Sequence, residues 1–174
     1  MYDRLFYIAV LGSEHVGKKT FAKGKFLDSF RDSDYMLTTG AEISLKTIEI
    51  DETIVKLQLR TFSCAQYRWD KNRKGNLGIL VRGAHGAIVL YDVTSSKSIE
   101  QIPPWIQIVR DYAGDIPILL AGNKLDLNEQ RKISKEQIET IKNEYNIASA
   151  VEISAKTGEN IEKLFSTLTN LILN

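Results

Sequence analysis

The run Gly12-Ser13-Glu14-His15-Val16-Gly17-Lys18-Lys19-Thr20 sets two glycines with four residues between them and puts a lysine directly after the second. Such glycines let the backbone wrap an anion with its N–H groups, and a helix starting there points its positive end at the same charge. Lys18 is then placed to reach the β- and γ-phosphates of a nucleotide, within a cradle of Glu14, His15, Val16, Gly17, Lys18, Lys19 and Thr20. A phosphate loop of this spacing carries Ser or Thr after its lysine, and that hydroxyl binds magnesium. Here the position holds Lys19. An ammonium about 4 Å from a phosphate oxygen gains on the order of 4 kcal/mol at an effective dielectric near 20, before desolvation is counted. Lys19 could thus replace part of a metal ion, pair with Glu14, or point to solvent. The alternative for the whole motif is a glycine-rich strand-to-helix turn without a ligand.

Two further clusters carry chemistry. Asn123-Lys124-Leu125-Asp126 follows an apolar run, and a carboxylate at Asp126 can accept two hydrogen bonds from the N1–H and amino group of guanine, a pattern adenine does not offer. Lys124 can lay its aliphatic stem along the base. Taken alone the four residues could form a turn. Ser154-Ala155-Lys156 follows a second apolar run, where a backbone N–H can meet the guanine O6.

The elements that must position these clusters read as one α/β domain over residues 1–174, with strands alternating with helices and no repeats. Residues 5–11, 86–93 and 117–123 are apolar runs suited to buried parallel strands, with a further strand over 148–154. Residues 43–50 and 53–59 alternate around Asp51 and Glu52, which predicts an antiparallel hairpin. Helices are expected from Gly17 to about Ser29, from Pro103 to Gly114, after an N-cap at Ser134 with Gln137 three residues on, and from Glu159 to the end. Gly12, Asn123 and Ser154 fall at strand carboxyl ends, where open α/β sheets bind ligands. Arg60 to Gly86 lacks apolar periodicity until Leu77 and carries Arg68, Lys71, Arg73 and Lys74; it reads as a mobile loop and a candidate partner-binding surface.

Composition narrows the functional classes. Twenty-three basic against twenty-two acidic residues leave a formal charge of +1, which gives no sign of a nucleic-acid footprint. Cys64 is the single cysteine and cannot form an intrachain disulfide. No signal peptide and no apolar run of membrane-spanning length is present, so a cytoplasmic protein is expected. The final residues contain no prenylation cysteine, so membrane contact is expected only indirectly or through a further tail.

With these motifs in order, the chain resembles the Ras superfamily of small GTPases, and most closely its Rab branch. "GAHGAIVLYDVT", "KTIEIDETIVKLQL", "GNKLDL" and "EISAKTGENIEKLF" carry the resemblance, which covers nearly the whole chain. It implies the P-loop fold, a six-stranded mostly parallel sheet with helices on both faces, and binding of GTP or GDP. It matches Thr20 to an α-phosphate contact, Phe30 to the aromatic that flanks guanine, and Thr38 to the switch I threonine that binds magnesium. It also implies effector or regulator proteins, docking here through residues 60–85. The chain departs from the family pattern around the metal. Lys19 replaces the magnesium hydroxyl, and the family's "DTAGQ" aligns with Thr61-Phe62-Ser63-Cys64-Ala65, so the metal-anchoring Asp, the γ-sensing Gly and the water-orienting Gln are missing. The expectation is a guanine-nucleotide-binding module with weak or absent hydrolysis and a doubtful magnesium site. Alternatives are a slow GTPase using Gln66 or a partner's residue, and a nucleotide-free scaffold whose phosphate site is filled by a Lys19–Glu14 pair.

Overall fold

A computed structural model describes residues 2–28, 41–62, 78 and 81–174. Six strands form one sheet: β1 (Arg4–Gly12), β2 (Ala41–Ile50), β3 (Thr53–Phe62), β4 (Gly86–Asp92), β5 (Ile118–Asn123) and β6 (Ser149–Glu152), in the spatial order β2-β3-β1-β4-β5-β6. Only the β2–β3 pair is antiparallel; β3–β1, β1–β4, β4–β5 and β5–β6 are parallel. Asp51 and Glu52 both take positive φ (47° and 64°) between the paired Ile50 and Thr53, the handedness that lets a two-residue turn follow the strand twist. Every residue of β4 and β5 is buried, which is why both read as unbroken apolar runs.

Helices cover both faces. α1 (Lys18–Ala22) and α5 (Ile161–Leu173) share a core with Ile8, Val10, Leu57, Leu59, Ile88 and Leu119. On the opposite face α3 (Ile102–Ala113) and α4 (Lys135–Glu144) pack with Leu11, Val89, Tyr91, Ile118 and Leu120, while α2 (Ser96–Glu100) lies between β4 and α3. Ser134 caps α4 with the full reciprocal pair, its hydroxyl accepting from the Gln137 N–H while the Gln137 side chain accepts from the Ser134 N–H. After β1 the chain runs to the far edge and returns as β3 on one side of β1, then crosses to β4 on the other. The loop leaving Gly12 therefore emerges where the strand order reverses, the place where such sheets bind ligands.

Several boundaries differ from the sequence expectation. The first helix stops at Ala22 rather than near Ser29: Gly24 follows, the Leu27 N–H bonds back to the Gly24 carbonyl, and Asp28 pairs with Leu45 on β2. Packing of Phe26 on Phe21, ring centroids 5.6 Å apart, holds this reversal. Arg60 to Phe62 continue β3 rather than opening a loop, because β2 offers all three ladder partners and β1 offers them to Arg60 and Thr61. At the other end of that segment Val81 and Ala84 are core residues, while Arg82 and His85 are exposed. Residues 63–77 lie outside the described residues, as do Phe30 and Thr38. The last strand is Ser149–Glu152, shorter than 148–154, and α2 was not anticipated.

Candidate nucleotide-binding site

The phosphate-loop candidate folds as the glycines require. Gly17 sits at φ 97° as the N-cap of α1, and a Cβ there would lie 2.2 Å from Nδ2 of Asn123, so both the left-handed backbone and the close approach exclude a side chain. Lys18 is buried, its ammonium curled within the loop and donating to the carbonyls of Gly12 and Ser13 at 2.5 Å each. Val16 turns its side chain into the core. Trp105 of α3 donates its indole N–H to the Ser13 hydroxyl at 3.2 Å, which ties the loop to the opposite face of the sheet. Glu14, His15, Lys19 and Thr20 are exposed. No ion pair joins Lys19 to Glu14 among the described residues, so the self-filled phosphate site is not formed. Lys19 instead faces an open cavity together with Thr20, Ala155 and Lys156.

Asn123 joins the three sequence clusters. Its amide donates to the Val16 carbonyl at 2.9 Å and its oxygen accepts from the Ala155 N–H at 2.9 Å, at a residue only 3% exposed. One side chain at the end of β5 thus fastens the phosphate loop to the loop after β6. Of the backbone N–H groups proposed for the guanine O6, that of Ser154 bonds the Glu159 carbonyl and that of Ala155 bonds Asn123. The Lys156 N–H makes no hydrogen bond among the described residues, and is the donor left for a ligand.

Asp126 lies in the first turn of a short 3₁₀ helix, Leu125–Gln130, entered after Lys124 has turned the chain at φ 70°. One carboxylate oxygen accepts from the Ser154 hydroxyl at 2.6 Å; the other lies 4.0 Å from the Lys156 ammonium. The backbone of Asp126 is open to solvent while its side chain is only 17% exposed. Carboxylate oxygens have about two acceptor positions each, so this geometry orients Asp126 and leaves it free to accept from a base.

Sequence reasoning missed Asp92, at the carboxyl end of β4. It accepts from the Lys124 ammonium at 2.5 Å, and from the N–H and hydroxyl of Thr94 at 2.8 and 2.7 Å. Burial pushes the Asp92 carboxyl up, but the hydrogen bonds from Lys124 and Thr94 and the Lys124 charge outweigh it and hold the group below the ordinary carboxylate range. Lys124 is therefore held at its far end, which directs the stem expected to flank the base. The signal was Asp92's place at a third buried strand end, in line with Gly12 and Asn123.

Comparison with known proteins agrees with this architecture. Residues 7–174 match the model of the Ras family. Ras-related protein Rab-1 of Theileria parva is 35% identical over 177 residues, covering 98% of this chain and 76% of the relative. Ras-related protein Rab-8B of Homo sapiens is 32% identical over 182 residues, with 99% and 80% covered. Ras-related protein Rab-8A of Rattus norvegicus is 33% identical over 177 residues, with 96% and 78% covered. With the switch-point loop, the tied strand ends and these similarities in hand, the chain belongs to the Ras family and is Rab-like within it.

Proposed function

We propose that this Rab-like protein binds GTP or GDP, hydrolyses GTP weakly or not at all, and works as a binding module in membrane trafficking, with segment 60–85 as the surface met by effector or regulator proteins. The observation that carries the binding half is Asn123 holding the Val16 and Ala155 loops together beside Asp126, which Ser154 orients. That assembly favours guanine over adenine, because its carboxylate needs two donors on the base edge. Glu14, His15, Val16, Gly17, Lys18, Lys19 and Thr20 form the phosphate side; Phe30 is assigned to the base and Thr38 to the γ-phosphate side.

The residues at the end of β3 support impaired hydrolysis and do not fit a magnesium ion. Thr61 stands where a metal-anchoring carboxylate would be needed. Its hydroxyl is buried, at 2% residue exposure, and has no hydrogen-bond partner among the described residues. A hard cation asks for oxygen donors and usually one or two carboxylates. Among the described residues no three His, Cys, Asp or Glu side chains cluster to hold a metal, and Lys19 adds a positive charge at the rim. A divalent ion there would meet a like charge. The chain further has Cys64 in place of the γ-sensing glycine and Ala65 in place of the glutamine that orients water.

Single-turnover hydrolysis tests this reading. Intrinsic turnover is expected at or below about 10⁻⁴ s⁻¹, the slow rate of an unassisted Ras protein. The missing groups act on the transition state more than on ground-state binding, so nucleotide affinity should persist while turnover falls. Ala65→Gln alone should not restore activity, because Thr61 and Cys64 still differ. A rate of about 10⁻² s⁻¹, the range reached when a stabilising arginine is supplied, would reject impaired hydrolysis.

A further inference from the structure

Between α1, the turn after it and the loop after β6 lies a cavity of about 650 Å³, within the usual range of small-molecule sites. Lys19, Lys23, Lys25 and Lys156 line it, and among the described residues none of the lining carries a carboxylate. Lys23 has Glu42 at 3.8 Å and Lys156 has Asp126 at 4.0 Å, but Lys23 and Lys156 are 59% and 78% exposed, so these pairs are weak. Lys19 and Lys25 have no such partner among the described residues. The wall is preformed: the Lys46 ammonium donates to the Phe26 carbonyl at 3.1 Å, and Phe26 packs on Phe21.

The lining also says which part of a nucleotide borders the cavity. Thr20 is assigned to the α-phosphate, Ala155 and Lys156 to the base, and all three line this one space. The ribose is the covalent link between α-phosphate and base, so it must pass along the same wall. Ribose hydroxyls are neutral, and the α-phosphate at the edge of the cavity carries one negative charge, for which Lys19 is already at hand. Lys23 and Lys25 are therefore surplus to an ordinary guanine nucleotide. The geometry points to a phosphate-bearing group in this cavity, carried on the ribose of the bound guanine nucleotide or on a separate polyphosphate beside it. The inference rests on the proposed guanine site.

Isothermal titration of the full chain compares GDP with GDP bearing a 2′- or 3′-phosphate, and tests tripolyphosphate on both GDP-saturated and nucleotide-free protein. The variant is Lys23→Gln/Lys25→Gln. Ribose phosphorylation is expected to tighten binding to the parent at least about tenfold, an advantage that shrinks with added salt and largely disappears in the variant. GDP itself should bind parent and variant within about twofold. Tripolyphosphate binding that needs Lys23 and Lys25, without any advantage from ribose phosphorylation, would assign the site to a separate molecule. If GDP binds but neither phosphate source gains from the two lysines, the inference is overturned and the guanine site stands. If GDP does not bind, the guanine site and the ribose-borne source fall together, and the tripolyphosphate titration of nucleotide-free protein decides the remaining source.

Discussion

Asp126→Asn is expected to lower guanine-nucleotide affinity about a hundredfold, or about 2.7 kcal/mol, and to raise affinity for xanthine nucleotides. The carboxylate is positioned by the Ser154 hydroxyl at 2.6 Å, and an Asn oxygen can keep that bond, so the loop should hold its shape. What changes is the edge presented to the base. The Asn amide sets a donor against the donors of guanine, leaving buried polar groups unpaired at about 1–3 kcal/mol each. Xanthine, with an acceptor where guanine has its amino group, gains a partner from the same change. Competition titrations with GDP and XDP on parent and variant read both effects. Equal affinity of parent and variant for GDP would mean that Asp126 does not face the base.

Asn123→Ala is expected to destabilise the fold by about 3 kcal/mol, a large share of the roughly 5–15 kcal/mol that holds a domain together. The side chain supplies a donor to Val16 and an acceptor to Ala155, each at 2.9 Å, in a place where water does not reach. Truncation leaves a carbonyl and an N–H buried without partners, and opens the contact over which Gly17 approaches so closely. Urea unfolding at constant m value is the measurement. A loss under about 1 kcal/mol would show that the two loops hold without this bridge, and that Asn123 serves only a ligand.

The strands were readable because their physics is local. Continuous apolar runs marked β4 and β5, and alternation around Asp51 and Glu52 marked the hairpin. The end of α1 was not, since residues 23–28 carry enough helix formers to continue; Gly24 and the long-range packing of Phe26 and Asp28 reverse the chain. Arg60 and Thr61 look like the start of a polar loop, yet ladder partners on both sides keep them in β3. The base-side and phosphate-side residues were legible from spacing alone. Their mutual support was hidden, because Asp92 to Lys124, Asn123 to Val16 and Trp105 to Ser13 join residues 32, 107 and 92 positions apart.

Titration of a fluorescent GDP analogue with excess magnesium and with EDTA separates a guanine-nucleotide site that works without a metal from one that needs it. Lys19 lines the cavity as an exposed cation and Thr61 offers a buried hydroxyl in place of a carboxylate, so little is left for magnesium to join. Binding is expected in both conditions, with affinities within about tenfold, or 1.4 kcal/mol. Lys19→Ser should bind more weakly in EDTA and regain part of its affinity when magnesium is added. Binding by the parent that collapses in EDTA, or no binding in either condition, would overturn metal-independent nucleotide binding.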